Sequence, residues 1–230
     1  MKTETNENKG NGMIARRSFL RYAGIGAASV GLLATAACHH DHTVVINQGV
    51  DIGTGDIGIL NYAYALEQLE AAFYTQVISS PYSGISVSEK AYLTAIRDHE
   101  ILHRNFFKAA LGANAITGLT VDFSAINFNS RDSVLGAAKT FEDLGVMAYD
   151  GAGYLIQNPD YLTLAGKIVS VEARHAALIR DLLVPGSFAG SDVVASNGLN
   201  NALSIAQVLS MANAYLKTKV SAVNYNYVVA

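Results

Sequence analysis

Twice in this chain a glutamate is followed three residues later by a histidine: Glu100 and His103 in RDHEILHRN, and Glu172 and His175 in SVEARHAAL. Residues three apart share one face of a helix, so each pair sets a carboxylate beside an imidazole. Upstream of each pair stands another glutamate with a tyrosine seven residues on, Glu67 with Tyr74 and Glu142 with Tyr149. The separation from Glu67 to Glu100 is 33 residues, and from Glu142 to Glu172 it is 30. Seven residues is nearly two helical turns, so each tyrosine is expected on the stripe of its own glutamate. One Glu-x-x-His is common by chance. Two, each preceded by the same Glu and Tyr series, demand a fold that brings four helices to one place.

The helices are legible from their ends. The first is expected to begin near Asp56, read as its N-cap, and to run to Ile78 before Ser79-Ser80-Pro81. The second opens at Ser86, with Glu89 three residues on as a capping box, and runs to Leu111 ahead of Gly112. The third runs from near Ser130 to about Gln157. Asn158 caps a fourth, with Pro159 at its first position, that continues to about Leu183. A shorter fifth helix fits Leu203 to Lys217, and the tail SAVNYNYVVA alternates like a strand with no partner evident. Short links, about nine residues between helices one and two and fewer between three and four, make two antiparallel hairpins. Between the hairpins lie 18 residues, Gly112 to Asn129. Extended, they reach about 60 Å, against roughly 37 Å for a helix of this length. That link is long enough to cross the whole bundle, which is the ferritin-like topology: an all-α four-helix bundle over residues 56–183, with the C-terminal helix and tail over 184–230.

The N-terminus reads as a targeting segment over residues 1–37. Arg16-Arg17-Ser18-Phe19-Leu20 resembles a twin-arginine signal, and the apolar run Ala23 to Ala37 is 15 residues, short for a membrane span. TAAC resembles a lipoprotein box with Thr35 in place of the usual leucine. Cys38, the only cysteine, is then the lipidated residue, the alternative being a simple cut near Ala37 that leaves a free thiol. The expected location is the periplasm or cell envelope, with the membrane as partner through a lipid anchor. Residues 38–55 read as a tether. In it His39, His40, Asp41 and His42 form a polar spacer or collect a metal ion. Without residues 1–37 the chain carries 11 basic and 17 acidic residues, a net charge of −6. With no basic stripe, nucleic acid is not an expected partner.

Buried carboxylates explain the series chemically. Four inward glutamates would repel one another in an apolar core, whereas four carboxylates and two imidazoles can hold two metal ions between them. Such hard-to-borderline donors suit iron or manganese. His99 precedes Glu100, points about 100° away from it on an ideal helix, and is read as a solvent-side or core residue rather than a ligand. Glu70 competes with Glu67 on nearly the same face; the symmetry with Glu142 and Tyr149 favours Glu67.

The pattern resembles the ferritin-like di-iron carboxylate superfamily. LNYAYALEQLEAAFY is similar to an exported ferritin-like group related to plant desiccation proteins. The resemblance spans roughly Asp56 to Leu183. It implies Glu67, Glu100, His103, Glu142, Glu172 and His175 as metal ligands, with Glu100 and Glu172 bridging and Glu67 and Glu142 terminal. The cofactor implied is two Fe ions, or Mn, or a mixed Mn/Fe pair. Tyr74 and Tyr149 are candidate catalytic residues, as donors to ligands or of an electron; the alternative is core aromatics. Family members often place an acidic residue directly before each Glu-x-x-His to support a histidine. Here those positions are His99 and Val171, with Asp98, Asp143 and Asp150 as candidate substitutes.

Two function classes follow. One is an envelope oxidoreductase of ferroxidase or peroxide-reducing type, with oxygen or peroxide as the small-molecule oxidant. The other is a non-catalytic, stress- or desiccation-related binding protein. No rubredoxin-type cysteine cluster exists for an internal electron path. A lipid anchor on every subunit disfavours a storage cage, while a homodimer is compatible.

Overall fold

The computed structural model describes residues 49–229; the signal segment, Cys38 and the histidines at 39, 40 and 42 lie outside them. Four long helices form the body: α1 (Gly55–Ser79), α2 (Val87–Leu111), α3 (Arg131–Ala152) and α4 (Pro159–Leu183). The closest pairings are α1 with α2 and α3 with α4, the two hairpins expected. Among the described residues no helix is long and apolar enough to cross a membrane.

Local chemistry sets most helix ends. Ser86 and Glu89 form the reciprocal capping box of α2, and Asn158 accepts from the backbone of Asp160 ahead of Pro159 in α4. Asp56 does not cap its own helix. The N-cap of α1 is Thr54, and the Asp56 carboxylate instead accepts from the backbone N–H groups of Gln157 and Asn158 at 2.8 and 2.9 Å. It thereby serves the turn entering α4, a contact 101 residues away that no local pattern reveals. Helix α3 stops at Ala152 and passes into a 3₁₀ turn over Gly153–Leu155 instead of reaching Gln157.

The crossover between hairpins runs along α1. Asn61 donates to the carbonyls of Ile52 and Asn114 and accepts from the Ile116 N–H, and Gln68 accepts from Leu119 N–H. These two buried amides, seven residues apart on α1, satisfy backbone groups that would otherwise be lost from water.

The C-terminal part packs onto the bundle. Helix α5 (Ile205–Ala212) is shorter than expected, ending in a 3₁₀ turn at Asn213–Tyr215. Just ahead of it Leu203 N–H donates to Met147 carbonyl, and a Cβ on Gly151 would collide with the Leu203 carbonyl. Arg180, buried in α4, donates to both Asp143 and Asp192, tying residues beyond α4 to α3 and α4. The strand-like tail finds its partner upstream of α1: β1 (Val50–Asp51) and β2 (Val220–Ser221) pair in parallel, Val50 opposite Val220. The tether expected over 38–55 therefore gives way to folded structure by Val50, and Ile52 is fully buried.

Candidate metal centre

Each long helix turns one glutamate into the bundle axis: Glu67 from α1, Glu100 from α2, Glu142 from α3 and Glu172 from α4, all at 0 % exposure. With the two histidines they form two overlapping groups, Glu67, Glu100, His103 and Glu172 in one and Glu100, Glu142, Glu172 and His175 in the other. Within each group the candidate ligand atoms lie within 4.8 Å of one another. Glu100 and Glu172 belong to both, so the glutamates of the two Glu-x-x-His pairs sit between the two positions.

The histidines reach across. Nδ1 of His103 lies 2.7 Å from Glu172 Oε1 and 3.5 Å from Glu67 Oε2. Nδ1 of His175 lies 2.8 Å from Glu100 Oε1 and 3.5 Å from Glu142 Oε2. Each imidazole thus faces the glutamate of the other motif, as an approximate twofold arrangement of two hairpins requires.

The fit to a cation can be tested on the polar atoms. Glu67 Oε2, both oxygens of Glu100, Glu142 Oε2, both oxygens of Glu172 and Nδ1 of His103 and His175 are buried and, beyond the close His–Glu approaches just given, have no well-aligned hydrogen bond among the described residues. Buried polar atoms are ordinarily satisfied by well-aligned partners, and here two imidazoles cannot serve that many carboxylate oxygens. Oxygen and nitrogen donors converging in this way are what a divalent or trivalent ion satisfies.

Protonation in the metal-free protein follows from the same crowding. Burial, then Glu172 and Glu100, pushes the Glu67 carboxyl well up. Burial likewise raises Glu142 to about 8, with His175 opposing. Burial works to raise Glu100 too, but the imidazoles of His103 and His175 outweigh it and hold it down at about 2. Burial works to lower both histidines, and the surrounding carboxylates overturn it, holding each up at about 12. The metal-free cluster is therefore a set of imidazolium and carboxylate charges sharing protons that a metal ion would displace.

The tyrosines reach the cluster across the bundle. Tyr74 does not serve Glu67 on its own helix; its hydroxyl donates to Glu142 Oε1 at 2.6 Å. Tyr149 donates to Glu67 Oε1, also at 2.6 Å. Each tyrosine crosses to a glutamate of the opposite hairpin, because side chains two turns apart on one helix point in parallel and cannot meet, while a facing helix can. Burial first, then the carboxylates, pushes both phenols well up, so both stay protonated donors.

Three residues have roles that sequence reasoning assigned only in part. His99 faces solvent, as expected, yet its Nδ1 lies 2.9 Å from Nε2 of His175 and the two rings stack with centroids 5.1 Å apart. The position before the first Glu-x-x-His thus does support a histidine, that of the other motif, and does so with an imidazole. Glu70 is outside both ligand groups but is buried at 3 % exposure beside them, and burial with the charges of Glu100 and Glu172 raises its carboxyl well up. Gly145 makes room for it: a Cβ there would stand 3.1 Å from Glu70 Oε1. Its spacing three after Glu67 was the available signal. Asp98, Asp143 and Asp150 are engaged elsewhere, with Arg97, Arg180 and Asn200 respectively.

No curated protein matches the chain. A family model described as a ferritin-like domain matches residues 55–185, from the first residue of α1 to just beyond α4. With that match laid over a four-helix bundle and a buried cluster of glutamates and histidines, the chain belongs to the ferritin-like domain family.

Proposed function

We propose that this is an exported di-metal protein, most simply di-iron, that reacts with dioxygen or peroxide. The observation that carries the reading is the convergence of buried carboxylate oxygens and two Nδ1 atoms on two positions with Glu100 and Glu172 in common. Bound there, two reduced ions would supply one electron each, so that dioxygen takes both with two protons and leaves as hydrogen peroxide, or peroxide takes the same and leaves as water.

The chain's own groups have definite tasks in this reading. Glu100 and Glu172 serve both positions, while Glu67 with His103 and Glu142 with His175 each complete one. Tyr149 and Tyr74 fix the terminal carboxylates by occupying one oxygen and leaving Oε2 of each free for a ligand bond. For His175 to offer Nδ1, its proton resides on Nε2, where His99 Nδ1 accepts it.

Anaerobic reconstitution with Fe(II) or Mn(II), metal counting by plasma mass spectrometry and stopped-flow mixing with each oxidant test the reading. Two ions per chain and a fast optical change with either oxidant are expected. Two ions inert to both would indicate the static, non-catalytic role; no metal at all would end the di-metal reading. Export and anchoring rest on the twin-arginine-like run and Cys38. Cys38→Ser should move the protein from the membrane to the soluble envelope fraction or block its processing, and unchanged fractionation would remove the lipid anchor.

A further inference from the structure

At one end of the cluster the bundle is not filled. A cavity of about 30 Å³ lies between the four long helices, lined by Ala63, Phe107, Tyr149, Ala152, Ala165 and Ile168 among others. Its position relative to the ligands is fixed by helical spacing. Ala63 stands four residues before Glu67, Phe107 four after His103, Ile168 four before Glu172 and Tyr149 seven after Glu142. One helical turn is about 5.4 Å, so the cavity sits end-on to the Glu67, His103 and Glu172 group with Tyr149 between. The Tyr149 hydroxyl is turned to Glu67, which leaves its ring as wall.

The geometry points to this cavity as a holding site and route for dioxygen, an apolar diatomic, to the Glu67 and His103 side of the centre; the inference rests on the oxidase reading above. The wall is almost wholly aliphatic and aromatic, which suits an apolar guest and not the more polar peroxide. A single water-sized occupant needs roughly 10–15 Å³, so the cavity has room for a diatomic without side-chain movement. The Tyr74 end is packed differently: Ala71, Ile96, Ala138 and Ile179, four residues from Glu67, Glu100, Glu142 and His175, are all buried. Phe73 stacks edge-on against Tyr74 and Phe141, and Phe141 against Tyr215.

Crystals of the full chain under xenon pressure give a readout that needs no metal, since xenon occupies dry apolar cavities. Xenon is expected between Ala63, Phe107 and Ile168 and should be lost in Ala63→Val. In the Fe(II)-loaded protein, Ala63→Val and Ala165→Leu, the latter at a half-buried position where folding is least at risk, should slow the reaction with dioxygen several-fold and leave the reaction with peroxide unchanged. A cavity that takes no xenon, for instance because water is held there by the partnerless hydroxyl of Tyr62, overturns the proposal. So do variants that keep the wild-type oxygen rate, or that slow both oxidants alike. In each of these cases a wild-type protein that still consumes oxygen leaves the oxidase reading standing. A metal-loaded wild type inert to both oxidants ends that reading and the route with it, whatever the xenon map shows.

Discussion

The Tyr74 end and the Tyr149 end of the cluster carry the same residue types in the same order, yet their surroundings differ. At the Tyr74 end, His175 is 5 % exposed at its side chain and has an imidazole from His99 behind it, while Tyr74 meets an aromatic stack, Phe73 on Phe141, that the C-terminal segment completes through Tyr215. At the Tyr149 end, His103 is 13 % exposed, the position matching His99 is Val171, and the apolar cavity replaces the aromatic plug. The lesson is that a duplicated residue series fixes which side chains converge but not what surrounds them. One end is backed by aromatic packing, the other by an apolar cavity.

Removing a group the two ends have in common should have the largest effect. Glu100→Ala or Glu172→Ala takes a ligand from both positions, so both ions should be lost in anaerobic metal counts. Glu67→Gln and Glu142→Gln should each cost one ion. If Glu100→Ala still retains one ion at full occupancy, the carboxylate belongs to a single end and the comparison must be redrawn.

Acidification comes next. His103 and His175 at about 12, Glu142 at about 8 and Glu67 well raised all hold protons in the metal-free protein at neutral pH. Binding must expel them, so apparent affinity rises with pH, by roughly tenfold per unit for each proton displaced. The slope at the Glu142 end should flatten above about 8, where that carboxyl is already ionised. Metal titrations between pH 6 and 9, with the pH range chosen around that value, read the slope directly; a pH-independent affinity would contradict the proton-sharing cluster.

His99→Ala should act on one end only. Groups that orient a ligating histidine are typically worth 10- to 100-fold in metal affinity, and this loss is expected for the ion at His175 with the His103 ion unaffected. Equal loss at both positions would mean that His99 acts on the fold of α2 rather than on His175. The smallest expected difference lies between Tyr74→Phe and Tyr149→Phe. Each removes a hydrogen bond to a carboxylate worth about 1.5 kcal/mol, roughly tenfold in affinity. The first should weaken the Glu142 position and the second the Glu67 position, the reverse of what same-helix pairing would give. Calorimetric titration of both variants distinguishes the two assignments.

Much of this molecule is written locally. The capping box of Ser86 and Glu89, Asn158 before Pro159 and the recurrence of Glu-x-x-His each depend on residues within one or two turns, so sequence alone determined the four long helices, their pairing into hairpins and the six-residue Glu and His series. Long-range contacts were decided by the tertiary structure. Asp56 serves a turn 101 residues away, Val50 pairs with Val220, and the two tyrosines cross between hairpins. Which buried glutamate joins the Glu and His cluster was decided the same way. Glu67 and Glu70 are nearly equivalent in helical phase, and only the packing of α3, with Gly145 opposite Glu70, separates them. The filled and unfilled ends were beyond any periodicity, because a cavity is the space left between four helices and belongs to no one segment of the chain.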